Sequence, residues 1–173
     1  MAEFLCDRPD LVKSKRVLEL GAGLGLIGML SHCLGASEVL MTDGDTNVLD
    51  NLRYNIGENN LNRVDNTRVV ECTQLIWGRD VDKFSETNGR YDVMIAAECL
   101  YMVPSLKPLW ETVQKLLSPS GVFIFTNPNN QVDIDMVLEV ASQYHFTWTT
   151  IGQAKGKVYL FRSEETPPEG ISS

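Results

Sequence analysis

Apolar residues along this chain follow two alternating rhythms. Short continuous runs, at Arg16-Val-Leu-Glu-Leu20, Glu38-Val-Leu-Met-Thr42, Tyr91 to Ala97 and Gly121 to Thr126, read as strands buried on both faces. Thr67 to Cys72 adds a further strand. Between them, apolar residues recur every three or four positions, which is the helical period. Leu24 to Leu34 is one such helix and stops at Gly35. Another turns Val48, Leu49, Leu52 and Ile56 toward a core, with Thr46 placed to cap it. Ser105 to Leu117 and Gln131 to Tyr144 are helical, and a leading helix over Ala2 to Val12 brings Phe4, Leu5, Leu11 and Val12 to one side. The end breaks the rhythm. Phe146 to Ile151 and Lys157 to Phe161 lie too close together for a parallel crossover, so they pair antiparallel.

Five strand–helix units followed by a hairpin define the expected fold: α/β, Rossmann-like, a doubly wound and mostly parallel seven-stranded sheet with a C-terminal antiparallel hairpin. One domain is expected over residues 1–162, with a polar, proline-containing tail over 163–173 expected to be disordered. Ligands of such sheets sit at the carboxyl ends of the strands, where strand order reverses. Every candidate motif in this chain does follow a strand.

Charge and composition narrow the partners. A formal net charge of −8 and the lack of any Lys/Arg cluster argue against nucleic acid. No apolar run is long enough to span a bilayer, so no membrane partner is expected. Cys6, Cys33, Cys72 and Cys99 are scattered, and only two histidines could share a metal; buried free thiols in a reducing compartment, cytoplasmic or nuclear, are the expectation. His32 and His145 read as structural. A monomer is expected.

The strongest chemical signal is Glu19-Leu-Gly-Ala-Gly-Leu-Gly25. Glycines directly after a strand permit a sharp turn and close approach of a ligand to the main chain, and the helix that follows offers unpaired N–H groups. Two registers fit. Gly23, Gly25 and Gly28 satisfy the dinucleotide spacing, whereas Glu19, Gly21, Gly23 and Gly25 begin at the strand end and include an acid suited to a ligand ammonium. A pyrophosphate would be repelled by Glu19. Asp43 follows the second strand and is placed to accept ribose hydroxyls, with Asp45 as a competitor. Trp77, in Leu75-Ile-Trp-Gly78, can cover an adenine face. After the fourth strand comes Ala96-Ala97-Glu98-Cys99-Leu100-Tyr101: small residues, then a carboxylate and an aromatic three positions on, able to hold a nitrogen nucleophile. Cys99 has no histidine nearby in sequence to activate it and reads as packing. Asn127-Pro-Asn-Asn130 follows the fifth strand and reads as a turn.

Taken together, Glu19 to Gly25, Asp43, Leu75 to Gly78 and Glu98 to Tyr101 resemble the seven-β-strand methyltransferases of family 16, the lysine methyltransferase-like group, over residues 2–162. Members of that group methylate lysines of chaperones, elongation factors and calmodulin, and one branch methylates histidine. The resemblance implies S-adenosylmethionine as cofactor and a protein as substrate. It also implies that Gly21, Ala22, Gly23, Asp43, Trp77 and Ala97 contact the cofactor, and that Glu98 and Tyr101 form the group's acid-x-x-aromatic motif. Two departures stand out. The group's upstream segment is missing, so the chain looks trimmed and weaker cofactor binding is expected. Position 98 is Glu where Asp is usual, and the histidine-directed branch also carries Glu. The expected function is therefore methylation of a protein side-chain nitrogen, lysine first. The alternatives are a histidine or small-molecule acceptor, a non-catalytic interaction module, or an NAD-binding oxidoreductase, for which no Tyr-x-x-x-Lys pair is present.

Overall fold

The central strands at Arg16–Leu20, Glu38–Asp43 and Tyr91–Ala97 are nearly continuously apolar because each is covered on both faces. In the computed structural model, which describes residues 1–59, 61, 68–128, 131–152 and 156–164, successive strand residues alternate between two separate cores. Val17, Val39, Met41, Val93, Ile95 and Ile124 face one; Leu18, Leu40, Met94, Ala96, Phe123 and Phe125 face the other.

The elements run α1 (Ala2–Asp7), β1 (Arg16–Leu20), α2 (Leu26–Cys33), β2 (Glu38–Asp43), α3 (Thr46–Glu58), β3 (Val69–Gln74), α4 (Val81–Asn88), β4 (Tyr91–Ala97), α5 (Leu106–Leu116), β5 (Leu117–Thr126), α6 (Ile134–Gln143), β6 (Phe146–Ile151) and β7 (Val158–Ser163). The sheet has seven strands in the order β3-β2-β1-β4-β5-β7-β6. β1 through β5 are parallel, and β7 is inserted antiparallel between β5 and the edge strand β6. The chain therefore leaves β1 toward one edge and returns to β4 on β1's other side. That reversal opens a crevice at the carboxyl ends of β1 and β4.

Several boundaries differ from the sequence expectation, each for a local reason. The first helix stops at Asp7, because Pro9 disfavours helical geometry at Arg8, and a 3₁₀ turn Pro9–Leu11 follows. Thr46 is the first helical residue of α3 and not its cap. Asp45 caps it instead, its carboxylate accepting from the Asn47 N–H at 2.8 Å. Asp133 does the same for α6, which starts three residues later than expected. β3 begins at Val69, set by pairing of Glu38 with Val69 through Asp43 with Gln74. α4 has no counterpart in the sequence expectation; its apolar residues packed against a core are Val81 and Phe84. β7 continues through Ser163, opposite Phe146, and the Glu164 N–H donates to the His145 carbonyl at 2.9 Å. Thr67, Asn129, Asn130 and the tail over 165–173 lie outside the described residues. The cysteines are unpaired as expected, but Cys6 and Cys33 are exposed on helix surfaces and Cys72 and Cys99 are half-buried.

At the amino ends of the strands one side chain ties four segments together. The Arg16 guanidinium donates to both Glu38 carboxylate oxygens at 2.7 and 2.8 Å and to the Asn88 and Arg90 carbonyls at 2.8 and 2.7 Å. It also lies over the Tyr91 ring. The carboxyl rim carries no such clamp among the described residues, and there the loops are shaped by glycine and by short polar contacts.

Candidate active site

Three glycines turn the chain sharply at the end of β1. Gly21, Gly23 and Gly25 have φ of 64°, 54° and 84°, values that cost an L residue with a Cβ about 1–2 kcal/mol each. Two of them do different work. A Cβ on Gly21 would stand 2.5 Å from the Cys99 Cβ, so β1 and β4 can approach at the rim only because it is absent. A Cβ on Gly23 would meet nothing within 4 Å, so that backbone faces open space where a ligand can press. The turn is pinned by its neighbours: the Ala22 N–H donates to the Thr42 carbonyl at 2.9 Å, and the Gly25 N–H to the Ala22 carbonyl at 2.8 Å.

Asp43 closes this turn from β2. One carboxylate oxygen accepts the Gly23 N–H at 3.1 Å and the other the Asp45 N–H at 3.0 Å. Asp45 is occupied in capping α3, which leaves Asp43 as the acid beside the crevice. On the β3 side, the loop carrying Trp77 is fastened to α5. The Gly78 N–H donates to the Thr112 hydroxyl at 2.9 Å, and that hydroxyl donates to the Pro108 carbonyl at 2.8 Å. Trp77 is half-buried against the core.

These loops enclose a cavity of about 580 Å³ with mostly apolar walls, to which Gly21, Gly23, Asp43, Trp77, Cys99 and Tyr101 all contribute. Of the residues singled out in the sequence, the fold thus brings five to one cavity: Gly21, Gly23, Asp43, Trp77 and Tyr101. Ala22, Gly25, Ala97, Glu98 and Glu19 are not part of its wall. Glu98 is the first residue beyond β4, exposed, with φ of 56° and its N–H donating to the Thr126 carbonyl at 3.1 Å. Pro104 and Pro108 line the cavity without having been singled out, Ile76 belongs to the Leu75–Gly78 motif, and Val48, expected to face the core, stands in the cavity wall instead. Pro104 sits in the turn before α5 and Pro108 in the first turn of α5, so their roles arise only from tertiary placement.

The position of Glu19 differs from what its sequence context suggests. Its side chain is 3 % exposed and accepts the Gly28 N–H at 2.9 Å, tying the first turn of α2 to β1. Burial pushes its carboxyl up to about 8, with the Gly28 N–H opposing and the charge of Asp43 adding to the rise. Its role in the site is the bond to Gly28, which holds the turn that borders the cavity. Cys99 is pushed up to about 12 by burial first and by Glu19 next, so it stays a thiol and packs against the turn. Among the described residues no group of His, Cys, Asp and Glu is placed to hold a metal ion, and no helix is long and apolar enough to cross a membrane.

The cavity suits S-adenosylmethionine on its own chemistry. It offers a bare glycine backbone, a carboxylate and an indole, groups of the kinds that suit a ligand main chain, ribose hydroxyls and an adenine face. A seven-stranded sheet of this order, with a glycine turn after β1 and an acid after β2, defines the Rossmann-like methyltransferase class. In shape the chain is similar to a TehB-like SAM-dependent methyltransferase from Corynebacterium glutamicum, with a TM-score of 0.70 at 18 % identity over 94 % of this chain and 87 % of that one. Residues 4–138 match the lysine methyltransferase family model, and the chain belongs to that family. It is 31 % identical to the protein N-terminal and lysine N-methyltransferase EFM7 of Yarrowia lipolytica over 91 % of this chain and 65 % of the relative. It is 33 % identical to the protein N-lysine methyltransferase METTL21A of Danio rerio over 66 % of this chain and 50 % of that protein. The chain thus spans about half to two-thirds of the length of these relatives.

Proposed function

We propose that this protein transfers a methyl group from S-adenosylmethionine to an amine of another protein, a lysine side chain first. The observation that carries this reading is the convergence of Gly21, Gly23, Asp43, Trp77 and Tyr101 on one cavity at the β1/β4 reversal. When bound, the cofactor supplies an electrophilic methyl group on a sulfonium, which an amine nitrogen accepts by in-line displacement.

The chain's part is to hold, orient and desolvate. Gly21 and Gly23, whose backbone borders the cavity, would receive the amino-acid end of the cofactor. Asp43 would accept from the ribose, and Trp77 would cover the adenine. A free lysine keeps its proton up to pH ~10.4, so the acceptor must lose it before its lone pair can react. An approach lined by Tyr101 and its apolar neighbours favours the neutral amine by withholding water. Glu98, at the start of the same connection, accepts an N–H of the amine and directs the lone pair inward; the surplus proton leaves to solvent. Alignment of this kind supplies much of the acceleration, since positioning alone can offset about 7–11 kcal/mol. The relative EFM7 is named for protein N-termini as well as lysines. An N-terminal amine is a primary amine too and would be accepted by the same groups.

Incubation of the chain with methyl-labelled cofactor and a protein extract tests the reading. Label in protein lysines is expected, and Glu98→Ala should abolish it while S-adenosylhomocysteine still binds with affinity near wild type. Wild-type turnover in Glu98→Ala would remove Glu98 from the reaction.

A further inference from the structure

Large apolar side chains standing in solvent gather at one part of the carboxyl rim. Tyr101, Met102 and Val103 follow one another on the β4–α5 connection at 59 %, 63 % and 44 % exposure, and Ile76 on the β3–α4 loop is 38 % exposed. Ile76 and Tyr101 both belong to the cavity wall. The apolar strip therefore includes two residues of the mouth and runs outward along the connection. Single exposed apolar residues are ordinary, whereas a consecutive group at the mouth of a site marks a contact surface.

The strip is also held in place. Met102 is extended, Pro104 fixes the next backbone angle, and the Ser105 N–H donates to the Met102 carbonyl at 3.0 Å, closing a 3₁₀ turn over Val103–Ser105. A surface already ordered loses less entropy when a partner docks. Charge indicates what kind of partner. On the connections that leave the parallel strands at this rim, Asp45, Asp80, Glu98 and Asp133 outnumber Arg79. Lys107 is drawn toward Glu111 at 3.9 Å. The chain as a whole carries −8.

We infer that the strip Tyr101–Val103, with Ile76 opposite, docks a basic and apolar segment of the substrate protein, in which a large apolar side chain lies next to the target amine. The inference rests on the methyl-transfer reading of the same rim and names its substrate class. Met102 and Val103 provide apolar contact, the surrounding acids attract the segment's positive charge and discriminate against acidic segments, and the cavity receives the amine.

Three fluorescent peptides, each with one lysine, test this in the presence of saturating S-adenosylhomocysteine. The first is basic with leucine beside the lysine, the second is basic with serine there, and the third is acidic with leucine retained. The first should bind about tenfold tighter than either of the others. The double substitution Met102→Ser with Val103→Ser should weaken the first peptide about tenfold and leave S-adenosylhomocysteine affinity within about twofold. Both residues are exposed, so an unchanged thermal melt is expected. Equal affinities across the three peptides, or a double variant that binds the first peptide as wild type does, would overturn the docking surface while leaving the methyl-transfer reading intact. Failure of S-adenosylhomocysteine itself to bind would instead remove the reading on which the inference rests.

Discussion

Glu98 holds its backbone at φ of 56° just where β4 ends and the mouth of the cavity begins. Such a conformation costs a residue with a Cβ about 1–2 kcal/mol and persists where function requires it. Glycine at this position would remove the strain but add about 0.5–1 kcal/mol of chain entropy to be lost on folding. Glu98→Gly is therefore predicted to melt about 2 °C above Glu98→Ala, with transfer lost in both, which paired melting and labelling experiments would check; an equal or lower Tm than that of Glu98→Ala would mean the backbone there is unstrained. Glu19 provides a second test at this scale. Its folded-state pKa of about 8 lies above the ordinary 4.5 because burial disfavours the charge. Its contribution to stability is complete below pH about 4.5, declines as pH rises toward 8, and is level beyond. Glu19→Gln cannot ionise, so its Tm relative to wild type should climb between pH 5 and 8; parallel melting curves would contradict the assignment. The sequence indicated an acid and a glycine turn here, but not that Glu19 is sealed beneath the turn. That depends on Gly28, nine residues on, whose N–H reaches Glu19 only once α2 packs on β1. Asp43 was legible because its place after a strand fixes where it lies.

Elements with one strong pattern were readable and those with weak patterns were not. β4 and β6 match their sequence bounds because an apolar run interrupted only at Asp92 fills the first and β-branched and aromatic residues fill the second. α5 buries Leu106, Leu109, Trp110, Val113 and Leu116 at helical spacing, and the Trp110 ring lies 4.9 Å from Phe161 and 5.5 Å from Phe123. α4, with two apolar anchors in eight residues, left no comparable signature. α5 also reaches the site through Thr112, whose hydroxyl satisfies the Gly78 N–H next to Trp77. Thr112→Val keeps the shape and leaves that N–H unpaired, at a cost of about 1–3 kcal/mol. If the bond positions the indole, S-adenosylhomocysteine should bind several-fold more weakly in this variant. Unchanged affinity with reduced Tm would show that the bond serves the fold alone.

Across the whole molecule the two rims divide the labour. The amino ends of the strands are locked by the Arg16 cluster, while the carboxyl ends keep glycine turns, a strained Glu98 and an exposed apolar strip. Strand alternation and the closing hairpin were enough to place every motif on one rim, because a parallel sheet with helical crossovers leaves the carboxyl ends no other arrangement. The cavity itself was not legible, since Pro104 and Pro108 line it without any sequence mark and the helical period of α3 assigned Val48 to the core. The distinction between a methyl donor site and a dinucleotide site rests on which glycines face the ligand. Calorimetric titration of the chain with S-adenosylhomocysteine and, separately, with NADH tests that distinction most directly, with Asp43→Ala as the control. The account predicts one-to-one binding of S-adenosylhomocysteine, at least about tenfold weaker in Asp43→Ala as expected for loss of a charged hydrogen-bond acceptor, and no NADH binding. Binding of NADH in place of S-adenosylhomocysteine, or an Asp43→Ala variant with undiminished affinity, would contradict it.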